Sequence, residues 1–250
     1  FLMDKPQYTV IQSDFEFYSC KFSPFEPNKI AATQSQYFGM IGNGRLCIYE
    51  FNHEQGLIQE LRRYPTNEGC FDLAWSEVND NILCTGQGDG TIKFWDTKRT
   101  EPFPIANLQS HSGETYSVSW NIHQSNLLLS ASHDMTVKLH DVSKMTTLNT
   151  FTGHMGVVYS SIWHPTIDGL FATASADNTF KLWDLKSGSI VRSTKAHNGH
   201  VMCCDFNKYD NVLATGGSDG SFALWDLRGT SEVPLLALNG HSLSTKKVVF

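Results

Sequence analysis

The stretch from His154 to Lys195, HMGVVYSSIWHPTIDGLFATASADNTFKLWDLKSGSIVRSTK, decides the fold. It contains four short runs rich in β-branched and aromatic residues, VVYSSIW, LFATAS, TFKLWDL and IVRSTK, separated by turn-forming residues. Helical periodicity of comparable length is absent. One four-stranded sheet cannot bury both of its faces, so a unit of this kind must stack against others, and radial stacking leaves few sheet edges open.

The other units are present at a fixed period. Trp95-Asp96, His140-Asp141, Trp183-Asp184 and Trp225-Asp226 fall 45, 43 and 42 residues apart, and an aspartate (Asp89, Asp134, Asp177, Asp219) stands six residues before each. His111, His154, His197 and His241 follow at intervals of 43, 43 and 44. A divergent copy precedes them, with Gly42-Asn43-Gly44 in place of Gly88-Asp89-Gly90 and Tyr49-Glu50 in place of Trp95-Asp96. An aromatic residue closes the first strand of every unit: Phe22, Trp75, Trp120, Trp163, Phe206 and Phe250, the last opening a sixth repeat. The expected fold is all-β, a single β-propeller domain over residues 18–250, with residues 1–17 as an N-terminal extension.

The markers have structural work in such a unit. The turn aspartate, beside glycine, bonds its own turn and reaches the histidine of the loop before the first strand. That histidine bonds a hydroxyl on the second strand, such as Thr173 or Ser175, which approaches the Trp indole. This role is expected for His111, His154, His197 and His241 rather than metal ligation or acid–base catalysis. His140 replaces the Trp of its repeat and predicts a weaker or rearranged network there.

Composition excludes several classes of function. The net charge of −6 argues against a nucleic-acid partner, which calls for a basic face, and favours a partner carrying positive charge. No segment is long and apolar enough to span a bilayer, and the N-terminus has no secretory signal pattern, so no direct membrane insertion is expected. Cys20, Cys47, Cys70, Cys84, Cys203 and Cys204 sit mostly in strand-like runs, without a C-x-x-C pair or a suitably spaced His, and read as buried reduced thiols. No G-x-S-x-G, H-E-x-x-H or phosphate-cradling motif occurs, so no catalytic residues, metal or cofactor are expected. Glycine-rich GNG, GDG and GGSDG are tight turns between strands.

The in-phase copies resemble the WD-repeat family over nearly the whole chain. YSCKFSPFEPNKIAATQSQYFGMIGNGRLCIYE (18–50), GCFDLAWSE (69–77), VYSSIWHP (158–165), CCDFNKYDNVLATG (203–216) and LALNGH (236–241) resemble the peroxin-seven family, the receptors for the type 2 peroxisomal targeting signal. That resemblance implies a seven-bladed propeller that binds an N-terminal helical signal of matrix proteins in the cytosol, 3-ketoacyl-CoA thiolase being a familiar cargo. It also implies a co-receptor and docking proteins at the peroxisome, and cycling of the receptor between cytoplasm and peroxisome. The implied signal is an amphipathic helix with a basic residue near its start and a His followed by an apolar residue near its end. Seven repeats need roughly 300 residues, so the chain is expected to be C-terminally incomplete.

Peptide-binding residues are expected on the face bearing the loops before each first strand. Phe71, Tyr116, Tyr159 and Met202 share one position near the start of the innermost strands, where they either receive an apolar helix stripe or pack between blades. Glu68 and Glu114 fall where the receptor family carries acidic residues; each either pairs with the basic residue of the signal or is an ordinary solvated charge. Asp72 is a further candidate that could instead point into the channel, and Phe38 is a candidate of the apolar kind. His133 and His200 depart from the receptor pattern, which has Trp and an acidic residue there. A generic WD-repeat scaffold subunit of a ubiquitin ligase, chromatin or trafficking complex is the alternative.

Overall fold

The structure, a computed structural model, describes residues 10–39, 42–229 and 232–250. Each of the five repeats folds as one antiparallel four-stranded sheet with its strands in chain order. The first blade holds β1 (Glu16–Phe22), β2 (Lys29–Ser35), β3 (Gly44–Asn52) and β4 (Leu57–Thr66). The second holds β5 (Cys70–Trp75), β6 (Ile82–Gln87), β7 (Thr91–Asp96) and β8 (Ala106–Gln109), and the third β9 (Thr115–Trp120), β10 (Leu127–Ser132), β11 (Val137–Asp141) and β12 (Thr146–Phe151). The fourth holds β13 (Val158–Trp163), β14 (Leu170–Ser175), β15 (Thr179–Asp184) and β16 (Ser189–Lys195), and the fifth β17 (Val201–Phe206), β18 (Val212–Gly217), β19 (Ser221–Asp226) and β20 (Leu236–Asn239). The strands read from residues 154–195 are thus found nearly at their expected bounds. The blades form a β-propeller in which β1, β5, β9, β13 and β17 are the inner strands and pack side by side.

The core lies between blades. Trp75 and Trp95 of the second blade bury against Ala31, Leu46 and Ile48 of the first, and Trp163 and Trp183 of the fourth against Leu129, Val137 and Phe151 of the third. At about 25 cal/mol per Å² of apolar area, these tryptophans make inter-blade packing the main source of stability. The approach of blades is close enough to demand glycine: a Cβ on Gly86 would stand 2.6 Å from the Thr115 carbonyl oxygen of the next blade.

Hydrogen bonds then fix each blade internally. In the fourth, His154 Nδ1 meets Asp177 at 2.7 Å and Nε2 meets the Thr173 hydroxyl at 2.7 Å, while the Trp183 indole donates to Thr173 at 2.9 Å. In the fifth, His197 Nε2 meets Thr215 at 2.8 Å, and Trp225 donates to the same hydroxyl at 2.9 Å. The third blade is rearranged rather than broken. His111 joins Asp134 at 2.9 Å and Ser130 at 2.7 Å, and His140, in the place of Trp, reaches Ser130 at 2.8 Å, Ser110 at 3.2 Å and Thr147 at 3.1 Å. Burial pushes the His140 imidazole down to about 3, with His111 and Lys138 adding repulsion.

The first blade begins ahead of its expected bound. β1 opens at Glu16, and Ser13, five residues before Tyr18 as His111 is five before Tyr116, stands in the histidine position. The buried Arg45 donates to Ser13 at 2.8 Å and to Asp14 at 2.7 Å, and lies 4.2 Å from the centre of the Phe15 ring. Residues 13–15 therefore belong to the blade rather than to an extension. At the other end, residues 245–250 run beside the fifth blade: the Thr245 amide donates to the Gly217 carbonyl at 2.9 Å and the Phe250 amide to Asp205 at 2.9 Å. This is the place expected for the inner strand of a sixth repeat.

Candidate peptide-binding face

A bulge repeated in every blade builds the face. Where each inner strand pairs with its neighbour, the register skips one residue: between Phe17 and Ser19, Cys70 and Asp72, Thr115 and Ser117, Val158 and Ser160, and Val201 and Cys203. The skipped residues are Tyr18, Phe71, Tyr116, Tyr159 and Met202. A bulged residue leaves the alternation of its strand and has its side chain re-aimed, and here this happens at the same level in every blade.

The side chains so displayed form an arc. Tyr18 and Phe71 have ring centres 5.1 Å apart, Phe71 and Tyr116 5.1 Å, and Tyr116 and Tyr159 5.6 Å. His200 stacks on Tyr159 at 6.2 Å, and His133 lies 6.4 Å from Tyr116. Phe71 is buried, whereas Tyr116, Tyr159 and Met202 keep part of their surface in solvent. The two expectations for these residues are therefore compatible, because the rings pack blade to blade and still present a surface. All five bulged residues line one cavity of about 610 Å³ at the mouth of the channel.

The polar candidates separate by position. Glu114 lines the cavity, half-buried, with one carboxylate oxygen 3.8 Å from His133 Nδ1. Its charge acts on Tyr116, whose phenol is pushed up to about 12 by burial first and by Glu114 second. Glu68 is exposed and does not line the cavity; its carboxylate lies beside Gly88 in the β6–β7 turn. Asp72, the residue after a bulge, lines the same cavity and is buried. It accepts from the Ser19 hydroxyl at 2.8 Å and the Val118 amide at 3.0 Å, and Lys21 lies 3.3 Å away. Burial raises its pKa, but Lys21, Lys247 and these two donors outweigh that and hold it below the usual carboxylate value. The side chain of Phe38 lies outside what the structure describes.

Among the cavity residues that the sequence reading did not single out are Tyr18, Glu16 and Lys246. Each was accessible from the phase already in hand. Tyr18 precedes Phe22 by four residues as Tyr116 precedes Trp120, Glu16 precedes Tyr18 by two as Glu114 precedes Tyr116, and Lys246 precedes Phe250 by four. Among the described residues no group of three or more His, Cys, Asp or Glu is placed to hold a metal, and no helix is long and apolar enough to cross a membrane.

Comparison with known proteins agrees with the repeats. The chain is 37% identical over 138 residues to the "Peroxisomal targeting signal 2 receptor" of Saccharomyces cerevisiae, covering 55% of this chain and 36% of that protein. It is 39% identical over 138 residues to the protein of the same name from Mus musculus, covering 54% and 42%, and 37% identical over 131 residues to "Peroxisome biogenesis protein 7" of Arabidopsis thaliana, covering 52% and 41%. These matches span well under half of the relatives' length. A chain of the solved "Crystal Structure of Mitotic Checkpoint Complex" superposes with a TM-score of 0.78 at 20% identity, over 94% of this chain and 68% of that one, which speaks to the fold alone. The model of the family "WD domain, G-beta repeat" matches residues 57–96, 103–141, 145–184 and 188–226, and with four in-phase matches over more than half of its length the chain belongs to that family.

Proposed function

We propose that this propeller is an import receptor that holds the N-terminal type 2 targeting signal of peroxisomal matrix proteins and delivers them with a co-receptor. The bulge-displayed arc carries the reading. Its ring separations of 5.1, 5.1 and 5.6 Å lie close to the pitch of an α-helix, about 5.4 Å, so successive turns of an apolar helix stripe can each meet one ring. Glu114, beside Tyr116, supplies a half-buried carboxylate for a basic residue near the start of such a helix. The names of the relatives support the same reading, and 3-ketoacyl-CoA thiolase is a cargo to try first. A receptor of this kind works between the cytosol and the peroxisome by binding alone, without cofactor or catalysis.

The test is the affinity of the protein for a fluorescent peptide carrying the signal, with and without Glu114→Lys. Saturable binding weakened at least tenfold by the substitution is expected. Binding indifferent to the substitution would keep a receptor but move its cation site, and no binding with or without a co-receptor would leave a scaffold with another partner.

A further inference from the structure

The cavity is lined by charges of both signs, and its lysines are unaccounted for by an apolar stripe and one cation. Glu16 and Glu114 line it on the first and third blades; Lys246 and Lys247 line it beside the fifth. The two lysines differ in place. Lys247 follows the arc position, as Asp72 follows Phe71, and its charge acts inward on Asp72. Lys246 holds the arc position itself, four residues before Phe250, is exposed, and forms no ion pair among the described residues. The segment bearing it is fixed beside the fifth blade by the Thr245 amide on the Gly217 carbonyl at 2.9 Å and the Phe250 amide on Asp205 at 2.9 Å.

We infer that Lys246 is an anion-reading subsite that sets the direction of a bound helix, whose cationic first turn lies toward Glu114 and whose last turn lies toward Lys246. The inference rests on the helical-signal reading above. An α-helix ends in unpaired carbonyl groups equivalent to about half a negative charge, and a cation beside them is favourable. An acidic side chain in that last turn adds a full charge. A helix laid the other way would bring its own carbonyl end against Glu114, and its basic residue against Lys246, so both ends would be repelled. A free polyanion such as a nucleotide suits the site poorly, because two carboxylates share the mouth with the two lysines. The subsite therefore selects a dipolar peptide, basic at its start and acidic or uncharged at its end.

The experiment uses three helical peptides that carry the same basic first turn and apolar stripe, are amidated at the C-terminus, and place Glu, Gln or Lys in the last turn. Dissociation constants are measured by fluorescence anisotropy at low salt for the full-length protein and for Lys246→Gln and Lys246→Glu, each checked for an unchanged melting temperature. The unsubstituted protein is expected to prefer the Glu-ended over the Lys-ended peptide about fivefold to tenfold, Lys246→Gln to reduce that preference to under twofold, and Lys246→Glu to invert it. The same ranking of the three peptides in all three proteins would overturn the subsite while leaving a receptor that binds all of them. Failure of every peptide to bind the unsubstituted protein would remove the helical-signal reading, and the subsite with it.

Discussion

The backbone amide of Val118 donates to the carboxylate of Asp72 over 3.0 Å, across the gap between the inner strands of the third and second blades. The motif recurs: the Ser161 amide donates to the Ser117 hydroxyl at 3.2 Å, and the Phe250 amide to Asp205 at 2.9 Å. Inner strands do not pair with one another as a ladder, so their channel-side amides would be left without partners if a side chain of the preceding blade did not reach them. Asp72 goes further than the others, because Ser19 and Lys21 of the first blade also converge on it. One buried carboxylate thereby ties three blades.

Removing that carboxylate should loosen the propeller without touching its apolar core. Asp72→Ala is expected to cost about 2 kcal/mol, since it leaves the buried Val118 amide without its acceptor, while Lys21, about a third exposed, stays hydrated. Asp72→Asn keeps an acceptor for the amide and should cost roughly half as much. Urea unfolding followed by tryptophan fluorescence measures both, and equal, negligible losses would show that Asp72 is not a structural tie. Its pKa is depressed in the folded state, so the stability it contributes is present above about pH 4 and lost as the pH falls below that value.

Tyr116 stands at the centre of the arc, between Phe71 and Tyr159, and touches both. A central, partly buried aromatic group is the type of residue whose truncation dominates a binding surface. Tyr116→Ala is expected to weaken signal-peptide binding by about 2 kcal/mol, some thirtyfold, and Tyr116→Phe by less than threefold. Isothermal titration on both variants decides it; a large loss in the Phe variant would mean that the hydroxyl, not the ring, makes the contact.

The fold was legible because its markers are local. Aspartate in a tight turn and the loop histidine act within one blade, and the strand-ending aromatic recurs once per blade against the preceding one, so their spacing in sequence reproduces the spacing of blades, and the strands of residues 154–195 follow directly. The site was legible only in part. A bulge is a property of register between two strands, and nothing within the run CFDLAW says that Phe71 leaves the pairing while Asp72 re-enters it. Hence Asp72 could be named without deciding which way it turns, and Glu68, three residues ahead of the bulge, was expected on the same face without any sign that it stands outside the cavity. Tyr18 and Glu16 share the phase of Tyr116 and Glu114, but the first blade carries Ser13 and Tyr49 where the fourth and fifth carry His and Trp, so its inner strand drew less notice. Inner-strand contacts between blades, such as Val118 with Asp72, join residues far apart in sequence and leave no periodic signal.

Met135 supplies a test of backbone strain. In the turn between the second and third strands, the residue after the aspartate is Gly90, Met135, Asn178 or Gly220, and all four have positive φ, near 79°, 67°, 69° and 77°. Glycine takes that conformation freely and asparagine at small cost, but an unbranched apolar side chain does not. Met135 is about half exposed, so its side chain gains only part of what full packing would give. Met135→Gly is expected to stabilise the third blade by about 1 kcal/mol, read as a rise of a few degrees in melting temperature. A fall instead would mean that the greater freedom of glycine in the unfolded chain outweighs the strain relieved.

The same blade should be the first to fail in acid. His140 is fully buried, and its pKa falls to about 3; His111, beside it, is also lowered, chiefly by burial, although Asp134 opposes the shift. In the unfolded chain both imidazoles take up protons near pH 6.5, whereas in the folded blade they resist doing so. The stability that follows from neutral, bonded imidazoles is therefore complete above about pH 6.5 and drains away as the pH falls below it, at up to about 1.4 kcal/mol per pH unit for each histidine. Asp134, held near 2 by the Thr136 and His111 contacts in spite of its burial, adds a loss only below about pH 4. His140→Trp restores the indole found in the second, fourth and fifth blades and removes one of the two titrating groups. The melting temperature of the substituted protein should fall less between pH 7 and pH 5 than that of the unsubstituted one, by a margin worth about 1–2 kcal/mol. Parallel curves for the two proteins over that range would mean that His140 is already protonated in the folded blade, and that its bonds to Ser130, Ser110 and Thr147 are made by the imidazolium.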